Sequence, residues 1–131
     1  MKLEKILIEI IPHSEQRYET VGDYFLRSDG IFVIRVSEMK DWRYCAMVAI
    51  HELAEVYLTE HHEVSEETIT QFDEAFEANR LKGNLDEPGD AVDCPYRDDH
   101  CFATSIERMM CAAFGLSWKE YEDHVNSLYQ H

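Results

Sequence analysis

Apolar positions alternate at the start of the chain and then settle into helical spacing. Over residues 3–11, Ile6, Ile8 and Ile10 share one side of an extended chain, and Pro12, which has no amide proton to give a ladder, closes the segment. A second β-rich stretch covers 17–27, with Gly22 as a point of bending, and Ser28-Asp29-Gly30 is a turn into the nearly all-apolar strand 31–36. The last two form a hairpin to which the first can add. The spacing next predicts four helices. The first runs from an Asp41 N-cap over 42–60 and ends near His61 and His62. The second covers 66–81, capped by Ser65, with Ile69, Phe72, Phe76 and Leu81 inward and Gly83 as its stop. Residues 83–99 hold two prolines, two glycines and five aspartates and read as a long loop of the kind that tends to carry function. A third helix, capped by Asp98 or Asp99, covers 100–114. Ser117 to Glu120 is a capping box for a fourth, reaching about residue 129, with Trp118, Tyr121, Val125 and Leu128 inward. The pattern predicts an α+β fold, a small three-stranded antiparallel or mixed sheet followed by four helices. Its 131 residues suit a single domain, β-rich over 1–37 and helical over 41–131.

Two of these helices break their own pattern. The stretch 44–58 is apolar almost all round, as a buried helix is, yet His51, Glu52 and Glu55 are set into its middle. A buried carboxylate without a partner costs several kcal/mol or takes up a proton. His51 and Glu55 are four apart and share a face, while Glu52 is turned from them by roughly 100°. The third predicted helix repeats the anomaly, with His100, Thr104 and Glu107 on one stripe. If the two stripes face each other, one pocket receives two histidines and two carboxylates. Such a set suits Zn²⁺ and also accepts Fe²⁺, Mn²⁺ or Ni²⁺. The expected ligands are His51, Glu55 and His100 with a water in the fourth position, and Glu52 is placed to take a proton from that water. Glu107 lies about 10.5 Å along its helix from His100, so its expected part is to orient a ligand histidine, with Thr104 and Arg108 beside it. His61 and His62 read as a surface pair, and Cys94, His100 and Cys101 as a weaker metal cluster.

Charge narrows the partners. Twelve basic against 27 acidic residues give a net charge of −15, which disfavours direct nucleic-acid binding and anionic membrane surfaces and favours a basic protein partner. The N-terminal segment carries charges within its apolar run and lacks a small-residue cleavage site, and no run approaches the length of a membrane span. A cytoplasmic location is the expectation, with Cys45, Cys94, Cys101 and Cys111 reduced and, without a CxxC pair, acting as buried thiols. There is no GxGxxG, Walker loop or GxSxG elbow to support nucleotide chemistry or serine hydrolysis.

The run Ile50-His51-Glu52-Leu53-Ala54-Glu55 resembles the HExxH helix of zincin-type metallopeptidases, in which a small sheet precedes the helix and the third ligand comes from a later one. The resemblance implies His51 as first zinc ligand and Glu52 as general base acting on a peptide or protein substrate. Glu55 stands where that family has its second histidine, and His100 from the later helix would restore a set of two histidines and a carboxylate. Two functions follow from the sequence. One is a zinc-dependent peptidase or amide hydrolase. The other is a non-enzymatic acidic interaction protein whose His/Glu cluster is structural.

Overall fold

Strands form where the alternation marks them, in a computed structural model that describes residues 2–129. β1 (Ile6–Ile11), β2 (Gly22–Leu26) and β3 (Phe32–Ser37) lie in the order β1-β3-β2. β2 and β3 are the expected antiparallel hairpin, and Gly30 turns it at φ 88°, a left-handed conformation that glycine adopts without steric cost. β1 adds to the free side of β3 in parallel, so the sheet is mixed. Of the β-rich stretch expected over 17–27, pairing begins only at Gly22, and the preceding residues place Arg17 against Asp23 at 2.7 Å and Tyr18 against Asp73 at 2.9 Å.

The helices are α1 (Trp42–His61), α2 (Glu66–Ala78), α3 (Arg97–Ala113) and α4 (Trp118–Leu128), which makes the fold α+β. Asp41, Ser65 and Ser117 cap α1, α2 and α4, accepting from Arg43 N, Thr68 N and Glu120 N at 2.9, 3.1 and 3.2 Å. Each such cap is worth about 1 kcal/mol. Two boundaries differ from the sequence expectation. α2 stops at Ala78 because the Asn79 side chain donates back to the Ala75 carbonyl at 2.8 Å, which leaves Leu81 beyond the helix and 75% exposed instead of inward. α3 starts at Arg97 after Tyr96, so Asp98 and Asp99 lie in its first turn, where the helix dipole favours them, and neither is the cap.

α1 is apolar all round because it is covered on two sides, by β3 and β2 on one and by α3 on the other. Val33, Ile34, Val36, Met47 and Val56 are each at most 1% exposed. Burial of one such side chain stabilises by roughly 1.5–3 kcal/mol. Ile6, Ile8 and Ile10 do share one face of β1, pairing with Phe32, Ile34 and Val36, yet Ile8 and Ile10 remain exposed because β1 is an edge that α1 does not overlie. Among the described residues no helix is long and apolar enough to cross a membrane.

Candidate metal centre

The packing of α3 on α1 turns the two polar stripes toward each other. His51 Nε2 lies 2.6 Å from Glu55 Oε2 and 3.2 Å from His100 Nδ1, and His100 Nδ1 lies 2.7 Å from the same Glu55 oxygen. All three side chains are buried. The two imidazoles meet at a ring-centroid distance of 4.8 Å and an angle of 65°, so their nitrogens point at Glu55 instead of stacking. A one-turn spacing on α1 supplies two donors and the first turns of α3 the third.

The far side of each ring also faces carboxylate. Glu107 Oε1 is 2.6 Å from His51 Nδ1, and the other Glu107 oxygen accepts a hydrogen bond from the Tyr121 hydroxyl on α4. His100 Nε2 lies 3.0 Å from Glu87 Oε2 and 3.4 Å from Asp90 Oδ1, both from the 83–99 loop, which folds there into a 3-10 turn, Pro88–Asp90. Gly89 sits flat on the His100 ring, and a Cβ at that position would lie 2.3 Å from His100 Cγ, so this approach requires glycine.

Charge in the cluster follows from these contacts. Burial lowers the pKa of His51, but hydrogen bonds to Glu107 and Glu55 outweigh it and raise it well above the ordinary histidine value. His100 behaves likewise, with burial opposed by Asp90, Glu55 and Glu87 and a net rise. Burial pushes Glu55 up, yet the His100 and His51 hydrogen bonds bring it down to about 2. In the ion-free protein these contacts favour positive charge on the imidazoles, the sign of charge that a dication would bring.

The donor set fits such an ion. Bonds of 2.0–2.2 Å in a tetrahedral site put neighbouring ligand atoms about 3.3 Å apart, and the His51–His100 separation of 3.2 Å already matches. Only Glu55 Oε2, at hydrogen-bond distance from both rings, has to move outward, by about half an ångström. With the ring protons placed on His51 Nδ1 and His100 Nε2, both inward nitrogens offer lone pairs; His51 N–H donates to Glu107, the usual support for a ligand histidine, whereas His100 Nε2 has Glu87 and Asp90 near it without a hydrogen bond.

Glu52 stands off this set, turned toward β2. A Cβ on Gly22 would lie 2.4 Å from Glu52 Oε1 and 2.8 Å from Val48 Cγ1, so the bare backbone of Gly22 is what lets α1 and this side chain approach the sheet. Burial, with repulsion from Glu55, raises the Glu52 pKa well above the usual carboxylate range. Glu52, the ligand set and Thr104 border a cavity of about 450 Å³. Arg80 and Arg108 are its only described arginines and it has no described lysine; Arg80 is held by Glu77 at 2.7 Å, and Arg108 lies over the Trp118 ring. Carboxylates dominate the rest of its charged wall.

Of the residues singled out from sequence, His51, Glu55 and His100 converge and Glu107 backs His51. Thr104, expected beside Glu107, instead donates to its own helix at the His100 carbonyl, 3.1 Å away. His61 and His62 are an exposed pair, their ring centroids 5.0 Å apart, and His62 also pairs with Asp99 at 2.8 Å. Cys94 is buried and Cys101 exposed, and neither joins a metal-sized group among the described residues. Sequence reasoning missed Glu87 and Asp90, although it singled out their loop, and it missed Asp73. Asp73 falls one turn after Ile69 on the inward stripe of α2, which was the available signal. It accepts hydrogen bonds from Tyr18 at 2.9 Å and Tyr96 at 2.5 Å, tying α2 to the strand entry and to the start of α3. Burial nevertheless raises its pKa to about 7.

In comparisons with known proteins, no family model matches this chain, and no curated protein or solved structure matches it significantly.

Proposed function

We propose that the chain is a small metal-binding, zincin-like protein that acts as a zinc-dependent peptidase or amide hydrolase, with Glu52 as its general base. The observation that supports this reading is the convergence of His51 Nε2, Glu55 Oε2 and His100 Nδ1 within 3.2 Å of one another beside an open cavity. His51, Glu55 and His100 would hold a Zn²⁺ there, which would supply Lewis-acid polarisation of a carbonyl and lower the pKa of a bound water toward neutrality. His51 holds its inward lone pair in place by donating outward to Glu107, while His100 is fixed by the close packing of Gly89 on its ring. Glu52 accepts a proton from the attacking water and returns it to the leaving amine. Burial and Glu55 raise the Glu52 pKa, and a dication beside it would favour the free carboxylate. The acidic wall favours a substrate with positive charge near the scissile bond. We place the chain in the cytoplasm, where its four free cysteines would stay reduced.

Elemental analysis of protein purified without a histidine tag should find about one tightly held equivalent of Zn²⁺ or a related ion, lost in His51→Ala and in His100→Ala. Glu52→Gln should keep the ion and abolish cleavage of a basic peptide panel. Folded protein that takes up no ion refutes the reading, and retained cleavage in Glu52→Gln removes Glu52 as the base.

A second reading, an acidic interaction protein that binds a basic partner, draws on a separate observation. Without any ion, His51, Glu55, Glu107 and Tyr121 already form a continuous buried hydrogen-bonded chain that can serve as core structure. Capture of a basic partner that falls steeply with salt would favour it.

A further inference from the structure

His100 presents its second nitrogen to a separate pair of carboxylates, and that nitrogen is not satisfied. The side chain is buried, with the residue 6% exposed, yet Nε2 has no hydrogen-bond partner of good geometry. Glu87 Oε2 and Asp90 Oδ1 lie 3.0 and 3.4 Å away but off the direction of the ring N–H. A hydrogen bond needs its acceptor in line with the N–H. A metal ion needs the opposite arrangement, with the ion in line and the other ligand atoms flanking it at about 3.3 Å from the nitrogen. The observed separations bracket that value. Glu87 Oε2, Asp90 Oδ1 and His100 Nε2 form one of the two described groups of metal-ligating side chains whose donor atoms all lie within 4.8 Å of one another.

We propose that Glu87, Asp90 and His100 Nε2 form a second divalent-cation site, and that His100 bridges it to the ion of the inner centre. One imidazole and two carboxylates suit Zn²⁺ or Mn²⁺, and the exposed position of both carboxylates lets water complete the coordination. The turn that carries them is preorganised. Asp90 N donates to the Glu87 carbonyl at 3.1 Å, Ala91 N to the Pro88 carbonyl at 3.1 Å, and Gly89 rests on the imidazole between the two ligands. The second ion takes the lone pair that Nε2 exposes when its proton leaves to solvent. Two bonds of about 2 Å on opposite sides of one ring place the ions about 6 Å apart.

Because the bridge rests on the inner centre proposed above, the experiment separates the two. Chelator-stripped full-length protein is dialysed to equilibrium against Zn²⁺, and bound metal is measured by elemental analysis. Wild type should bind two equivalents, and Glu87→Gln/Asp90→Asn, which alters only exposed side chains, should bind one. A wild-type value of one that survives in the double variant overturns the second site and leaves the inner one standing. Two equivalents in the double variant also overturn it. A single equivalent lost in the double variant but kept in His51→Ala upholds the second site and sinks the inner centre.

Discussion

Glu107 Oε1 lies 2.6 Å from His51 Nδ1, across a gap of 56 residues in the chain. The Tyr121 hydroxyl holds the other oxygen of the same carboxylate, so α4 reaches the centre through α3. Glu107 thereby fixes both the rotation of the His51 ring and the nitrogen that carries its proton.

Glu107→Gln keeps the shape of that contact and removes its charge. Zn²⁺ affinity should fall about 10- to 100-fold, the usual loss when a ligand histidine loses its carboxylate support. Competition against a chromophoric chelator measures it. An unchanged constant would show that Glu107 only fills space.

Ion uptake should release protons. His51 and His100 have raised pKa values, which favours protons on the nitrogens that face Glu55, and such protons must leave before those nitrogens can ligate. Affinity should therefore rise with pH, by up to about tenfold per unit for each proton displaced. Calorimetry in buffers of different ionisation enthalpy counts the protons. A buffer-independent enthalpy together with a pH-independent constant contradicts the assignment.

Gly22→Ala should disturb Glu52 and leave the ligands in place. The new methyl group would meet the Glu52 carboxylate and Val48, an overpacking that typically costs about 1–3 kcal/mol. Urea denaturation of the ion-free protein should show that loss, while bound metal stays at the wild-type level. A variant as stable as wild type would mean that Glu52 swings away freely and that its position against β2 is not fixed.

Asp73 gives a pH dependence of known sign. Its folded pKa of about 7 is raised above the ordinary aspartate value of 3.8, so its contribution is fully present below pH 4 and is lost as pH rises toward 7. Relative to Asp73→Asn, the wild type should lose stability across that window, by an amount on the order of a few kcal/mol. Parallel stability profiles for the two proteins from pH 4 to 7 would show that Asp73 titrates normally.

Much of the fold is written locally. Caps at Asp41, Ser65 and Ser117 and the glycine turn at Gly30 each act over a few residues and formed where the pattern placed them, and the strands formed at the stretches it marked, shorter at β1, where Lys2–Glu4 is a 3-10 turn, and at β2. Boundaries slipped through a distant partner at the start of α3 and through the local Asn79 bond at the end of α2. Tyr96, bound to Asp73 on α2, precedes an α3 that begins earlier than its aspartates suggest, and Leu81 has no surface to pack against once α2 ends.

The same division holds at the centre. Sequence alone determined that α1 and α3 each bury a histidine and a glutamate, because helical periodicity sets polar groups into otherwise apolar stripes. It also marked the 83–99 loop by its length and its aspartates. Only the tertiary structure decided which atoms meet: that Glu55 reaches both imidazoles, that Glu107 backs His51, that Thr104 turns to its own backbone, and that Glu87 and Asp90 flank His100. The physical reason is that periodicity fixes the face a side chain occupies, while the ångström-scale distances that separate a ligand from a neighbour depend on how the helices cross and where a loop with no period of its own comes to rest.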